Sequence, residues 1–312
     1  MTTPDLFPEA KHQSETVTFE PTRQAGIARL KEFITRTGAH YAGQRNYDYG
    51  PTNRNSVSAL SPWSKHRLIT QEEVLTRTLA HHSLSASMKF VQEVFWRSYF
   101  KGWMEQHPSV WHSYLNSLET ALEALERDKL RKTDYDEAIT GRTGIDCFDH
   151  WCDELKETGY LHNHARMWFA SIWIFTLRLP WELGADFFLN HLIDGDAAAN
   201  TLSWRWVGGL HTKGKSYLAR PSNIAQFTDG RFDPVGQLSP TAEPLIEDMD
   251  HPYVPLSLVQ PIPQDEYVLL ITSEDCQPES FTTGAQIGVL GLLSATDPKQ
   301  STQVRAFEKG AV

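Results

Sequence analysis

The chain has 312 residues, 29 Lys and Arg against 39 Asp and Glu for a formal charge of −10, and 40% apolar residues. That much apolar sequence builds one large folded unit or two smaller ones and excludes wholesale disorder. The acid excess argues against nonspecific coating of nucleic acid, although a local basic groove can survive inside an acidic total. Residues 1–20 are polar, contain Pro4 and Pro8, show no apolar periodicity and read as a flexible leader. Helical spacing starts near Gln24, with Ile27, Leu30 and Phe33 three apart, and gives way to a loop at GQRNYDYGPTNRNS. Further helices are predicted over TQEEVLTRTLA, SASMKFVQEVFWRSYFKGWMEQ, SYLNSLETALEALERDKL, DCFDHWCDELKETG, HNHARMWFASIWIFTL and ELGADFFLNHLI. No β-branched alternating run interrupts them, and all ten tryptophans fall between Trp63 and Trp206, so residues 21–233 form an all-α domain. Ten of the seventeen prolines lie at or beyond Pro221, which makes 234–263 an extended Pro-rich linker. Within 264–312, EYVLLITSED reads as a strand and GAQIGVLGLLSA as a helix or second strand. This short α/β fragment either packs on the helices or belongs to a longer parent chain.

Cys147, Cys152 and Cys276 are too few for a disulfide framework or an iron–sulfur cluster. No apolar run approaches the roughly 18–20 residues that span a bilayer, and the N-terminus lacks a signal-peptide core. A soluble, cytoplasmic protein is the expectation.

Four segments carry candidate chemistry. In HLIDGDAAANTLSWRWVGG, Asp194 and Asp196 suit the start of a helix near Ala197. The alanines also permit a flat ligand to approach beside Asn200 and Trp204, which share a helix face. In FVQEVFWRSYF, Glu93 and Arg97 are spaced for an i,i+4 ion pair beside Trp96, ordinary for a surface helix. In GYLHNHARMWFASIW, Asn163 and Met167 share a face, with Met167 equally suited to filling a core gap. His162 and His164 diverge, and no metal site is expected. The hydroxyl-rich NSVSALSPW can contact phosphates or simply form turns.

Taken in order, these segments resemble the FAD-binding helical domain of the photolyase/cryptochrome family over about Pro21 to Asp233. The matching positions are Tyr41 and Arg45; Ser58, Leu60, Ser61 and Pro62; Glu93, Trp96 and Arg97; Gly141, Thr143 and Gly144; His162, Asn163, Arg166 and Met167; and Asp194, Gly195, Asp196, Asn200, Trp204 and Trp206. The resemblance implies a U-shaped FAD held by Tyr41, Ser58, Leu60, Ser61, Phe90, Arg97, Arg166, Asp194, Asp196 and Asn200, with Arg166 and Asp194 paired over the isoalloxazine and Asn200 facing its N5. Trp204 and Trp181 match the first members of the family's electron-hopping chain; Trp111 is the expected third, with Tyr114 as another route.

The pairing of Glu93 and Trp96 with Asn163 and Met167 is the set that implies action on cyclobutane pyrimidine dimers. The lesion is flipped into the cavity and split by an electron from excited FADH−. Trp96 and Trp206 would pack on it, Glu93 and Asn163 would hydrogen-bond it, and Arg45, Arg97, Lys101 and His164 would contact phosphates. Three departures stand out. No N-terminal α/β antenna domain precedes the match, so no antenna chromophore is expected; Ile145-Asp146 replaces an aromatic-Pro pair; and His164 replaces an arginine. The expected function is light-driven repair of UV-damaged DNA by a carbon–carbon lyase. The alternatives are a blue-light flavin photoreceptor that signals without repair and a helical scaffold without flavin. A partner protein supplying an antenna or a signalling output is the remaining partner class.

Overall fold

In a computed structural model, which describes residues 16–259, 261, 265–280, 282, 286–292 and 299–312, helices begin where the sequence supplies a cap. The chain runs α1 (Arg23–Phe33), α2 (Ala39–Gln44), α3 (Ser61–Lys65), α4 (Gln71–His81), α5 (Leu84–Gln106), α6 (Pro108–Arg127), α7 (Lys129–Thr140), α8 (Asp146–Thr158), α9 (Asn163–Ser171), α10 (Trp181–His191), α11 (Ala197–Gly208) and α12 (Pro221–Phe227). It ends in β1 (Tyr267–Thr272), β2 (Gln286–Leu292) and α13 (Thr302–Ala311). Thr22, Ser83 and Asp196 each accept a backbone N–H of the helix they precede, as N-caps do. The helix expected over 113–130 ends at Arg127, and a further helix, α7, follows over a stretch where none is predicted. The Asp128 carboxylate accepts from the Leu130 and Arg131 amides at 3.1 Å each, ending α6 and capping α7. Beyond Ser171, α9 widens into a π-helical turn over Ile172–Thr176, closed by Leu177 N–H to Ile172 C=O at 2.9 Å.

Apolar side chains gather in two main cores. The larger joins α6 and α8 to α11 through Trp151, Trp168, Trp173, Phe188 and Trp204. The other joins α1 to α5 through Leu30, Phe33, Tyr41, Trp63 and Phe90, and takes in Phe307 of α13. Gly184 of α10 is required here, because a Cβ would lie 2.3 Å from the Trp204 ring and 2.9 Å from Trp173.

The flexible leader was expected to reach residue 20, but its described part, from Thr16, is docked. Phe19 packs 5.6 Å from Trp63 and 5.3 Å from Tyr160, and Trp63 Nε1 donates to the Glu20 carbonyl. Residues 1–15 lie outside the described ones. The Pro-rich segment is extended and pinned to the helices. Glu247 accepts from buried Arg205 of α11 at 2.5 Å and from Ser113 of α6 at 3.0 Å, and Val254 N–H donates to Gln106 C=O at 2.7 Å. The helix-or-strand segment at 284–295 resolves as a strand over its described part, β2, paired in parallel with β1; Gly284, Ala285 and residues 293–295 lie outside. The α/β fragment packs on the helical domain through α13, whose Val304 and Phe307 are buried. No helix among the described residues is long and apolar enough to cross a membrane.

Candidate functional site

A cavity of about 570 Å³ is lined by residues of α2, α5, α9 and α12. Tyr41 of α2, Glu93 of α5 and Asn163 and Met167 of α9 line it, with Arg45 and His164 beside them. Three of the four side chains expected to act together, Glu93, Asn163 and Met167, therefore face one space from two helices, with Tyr41, expected as a cofactor contact, beside them. The i,i+4 ion pair expected of Glu93 and Arg97 does not form. Glu93 accepts from Arg45 across the chain at 3.1 Å, while Arg97 lies 3.6 Å from Asp196. Burial raises the Glu93 carboxyl above the ordinary carboxylate range, and Arg45 and Lys89 pull it back. Among the described residues Asn163 Nδ2 meets only the Met167 sulfur, at 3.9 Å, a weak partner that leaves the amide able to turn toward a ligand.

The opposite wall was missed in the sequence: Tyr217, Arg220, Asn223 and Phe227 also line the cavity. His164 Nδ1 stands 2.9 Å from the Asn46 carbonyl and so carries its proton there, which leaves Nε2 to accept from the Tyr217 hydroxyl at 3.3 Å. His164 is stacked on Trp168 at 4.1 Å, and burial lowers its pKa.

Gly195 allows the two aspartates to point apart, since a Cβ there would sit 2.9 Å from the Leu192 carbonyl. Asp194 is turned to Arg166, whose terminal nitrogen donates to both carboxylate oxygens at 3.0 and 2.9 Å. Arg166 Nε donates to the Leu161 carbonyl at 3.0 Å, which fixes the guanidinium. Asp196 caps α11 through Oδ1 at 2.9 Å from Ala199 N, and its Oδ2 faces Arg97 and Lys101 at 3.6 and 3.4 Å. Asn200 donates its amide N–H to the Ala185 carbonyl at 2.8 Å. A carbonyl can only accept, so this contact fixes which end of the amide is Nδ2 and leaves Oδ1 as an acceptor, with the second Nδ2 hydrogen, for a ligand.

Before α3 the chain turns through Ala59 at φ 52°, a left-handed conformation unusual for alanine. Arg29, not singled out in the sequence, braces this turn by donating to the Ser58 and Val57 carbonyls at 2.8 and 3.2 Å. The Ser58 and Ser61 hydroxyls take no hydrogen bond among the described residues. At the other end of α3, Arg97 donates to the Lys65 carbonyl at 2.8 Å, and both Arg97 Nε and Asp196 Oδ2 are buried without a hydrogen-bond partner. Free hydroxyls at one end of this helix and cations at the other suit a diphosphate-bearing cofactor such as FAD. Leu60 and Phe90 are buried in the core behind them.

Trp96 and Trp206 do not line the cavity. Trp96 is stacked on Phe100 and Trp206 on Tyr217, at 5.6 Å each, and they are 49% and 37% exposed. Trp204 is buried, with Phe188 at 5.1 Å and its Nε1 unpartnered. From Trp181 a ring series runs through fully buried Tyr114 at 5.6 Å to partly buried Trp111, 5.2 Å from Tyr114.

A family model described as the FAD binding domain of DNA photolyase matches residues 90–264, more than half of the chain. A deoxyribodipyrimidine photo-lyase of Synechococcus sp. is 34% identical over 194 residues, covering 60% of this chain and 38% of its own. The fold is shared with a class III photolyase from Agrobacterium tumefaciens, at TM-score 0.56 and 22% identity over 67% of this chain and 43% of that one. It is shared equally with a Synechocystis sp. cryptochrome, at TM-score 0.56 and 23% identity over 73% and 48%. The chain spans less than half the length of each of these relatives. The family model covers more than half of the chain, and the chain belongs to the family defined by the FAD-binding domain of DNA photolyase.

Proposed function

We propose that the protein is a FAD-dependent, light-driven DNA-repair protein that splits cyclobutane pyrimidine dimers. The observation that carries this reading is the meeting of Glu93, Asn163 and Met167 around one cavity large enough for a pair of bases. When bound, FAD supplies the light absorption and the single electron. Ser58, Ser61 and Arg97 would hold its phosphates, and the Arg166–Asp194 pair and Asn200 Oδ1 would face its ring system. Asn200 is held by Ala185, so it offers an acceptor to the N–H of a reduced flavin without reorganising.

A flipped dimer entering the cavity meets Glu93 and Asn163 as hydrogen-bond partners for its carbonyls and imides. The raised pKa of Glu93 favours a carboxyl that holds a proton toward a pyrimidine carbonyl. Arg220, at the cavity wall and with no ion pair among the described residues, adds a phosphate contact to Arg45.

The second reading, a blue-light receptor that does not repair, draws on a specific observation. Arg45 is paired with Glu93, and Lys101 with Asp196 and Glu274, which leaves fewer cations for DNA. Illumination of the reduced, FAD-loaded protein with an oligonucleotide carrying one thymine dimer separates the two. Repair in light and none in the dark is expected. Flavin that photoreduces while the dimer persists would leave the receptor reading in place.

A further inference from the structure

The cations nearest the proposed phosphate end are already satisfied, and by a residue from the far end of the sequence. The Glu274 carboxylate, just beyond β1, lies 2.5 Å from Lys101 Nζ, 3.2 Å from Lys65 Nζ and 4.0 Å from Arg97. Lys65 is buried, with Glu308 of α13 at 3.6 Å on its other side. Burial alone would raise Glu274, yet Lys65 and Lys101 hold it down at about 2, so it is an anion throughout the physiological range. The segment that carries it is strapped down on both sides. Ser273 C=O accepts from His66 Nδ1 at 2.6 Å, Cys276 N–H donates to His66 C=O at 2.9 Å, and Asp275 pairs with Arg67 at 3.2 Å. The Glu274 side chain is nonetheless 47% exposed. It is held by charge and by its neighbours' backbone, not by packing.

We propose that the Ser273–Cys276 strap is an autoinhibitory clamp in which Glu274 stands in for the diphosphate of a dinucleotide on Lys65, Arg97 and Lys101, and must give way for the cofactor to load. The inference rests on the flavin reading of this site. Three carboxylates share these three cations, and Asp196 and Glu308, each 5% exposed, are fixed in place, whereas Glu274 alone touches all three cations and is open to solvent, so it is the member that can be displaced. The three cations are a good fit for a group with several oxyanions. An internal carboxylate that must be released lowers apparent affinity by the fraction of molecules in which the strap is closed. The clamp thus couples cofactor loading to the C-terminal α/β unit.

The test is FAD affinity of the full apo chain, read by flavin fluorescence quenching, for the native protein, Glu274→Gln and Asp275→Asn. Glu274→Gln removes the competing charge; Asp275→Asn removes only the Arg67 anchor and leaves the cation cluster intact. Tighter binding in both, by about tenfold for Glu274→Gln, is expected. Equal or weaker binding would overturn the clamp, because Glu274 would then be supporting the cluster. Should neither form take up FAD, the flavin reading falls, and inorganic pyrophosphate decides the clamp by itself. A larger rise in thermal midpoint for Glu274→Gln than for the native chain keeps it, and an equal rise discards it.

Discussion

Asp194 and Asp196 stand two residues apart and carry different loads, and the site depends on that division. Asp196 serves as a helix cap with one oxygen and as a counter-ion with the other. Asp194 spends both oxygens on Arg166. Its side chain is 4% exposed and that of Arg166 is 22%, so removing the carboxylate leaves a guanidinium charge in a poorly solvated place. Asp194→Asn is therefore expected to destabilise the protein by roughly 3 kcal/mol and to abolish FAD uptake, checked by urea denaturation and by bound-flavin absorbance. Both acids were readable from the DGD run, and the cap was the reading that spacing alone supports. What spacing cannot give is the partner. Glu93 finds Arg45, 48 residues away, and not Arg97 one turn along its own helix. Arg29 and Tyr217 gave no local signal, because an arginine bracing a turn and a tyrosine closing on a histidine look like any others until the chain folds.

Among the elements, α4 illustrates which helices a sequence announces. Thr70 accepts from Glu73 N at 3.2 Å and Glu73 reaches back to Thr70 N at 2.9 Å, a reciprocal cap visible in TQEE. Glu73 also takes Arg23 of α1, which tethers the two helices. The Arg23 hydrogen bond is the main reason its pKa falls to about 2. Its unfolded pKa is the higher one, so the unfolded chain binds more protons between the two values. The resulting stability is present above the ordinary 4.5 and is lost as pH falls toward 2. Thr70→Ala should cost about 1 kcal/mol, and Glu73→Gln should flatten the acid limb of a stability–pH profile measured by thermal unfolding. An unaltered acid limb would mean that Arg23 and Glu73 do not hold α4 to α1. Elements without such signals were the ones missed. α7 carries no predicted helix because its charged sequence buries only Ala138 and so shows no apolar spacing. The short α2, α3 and α12 fell in loop-rich sequence. α13 is capped by Ser301 and spaces Val304 and Phe307 for burial, but a ten-residue stretch next to the chain end gave too little periodicity to stand out.

At the scale of the whole molecule, the proposed light chemistry would need a route by which an electron reaches the buried site through the tryptophan-rich core. Trp204 is held tightly, with Gly184 yielding space to its ring edge and Phe188 stacked edgewise on it. Trp181 lies one turn before Gly184 on the same helix, and from it buried Tyr114 and then partly buried Trp111 follow at spacings of 5.6 and 5.2 Å. Tyr114 differs from the indoles in one respect that decides its part. Its hydroxyl is buried with no hydrogen-bond partner, and burial raises its pKa. With no acceptor for its proton among the described residues, Tyr114 would be a poor place for a hole to rest, and under the proposed function it would serve as a bridge between Trp181 and Trp111. A bridge needs the ring and not the hydroxyl. Trp204→Phe is expected to slow photoreduction of bound flavin by at least about tenfold, and Trp111→Phe to slow it less. Tyr114→Phe, which keeps the ring, should leave the rate unchanged in transient absorption. A loss of rate in Tyr114→Phe would make the tyrosine a proton-releasing station. An unchanged rate in Trp111→Phe would move the exit to the other aromatic branch at this core, Trp173 and Tyr135, whose rings meet at 6.1 Å.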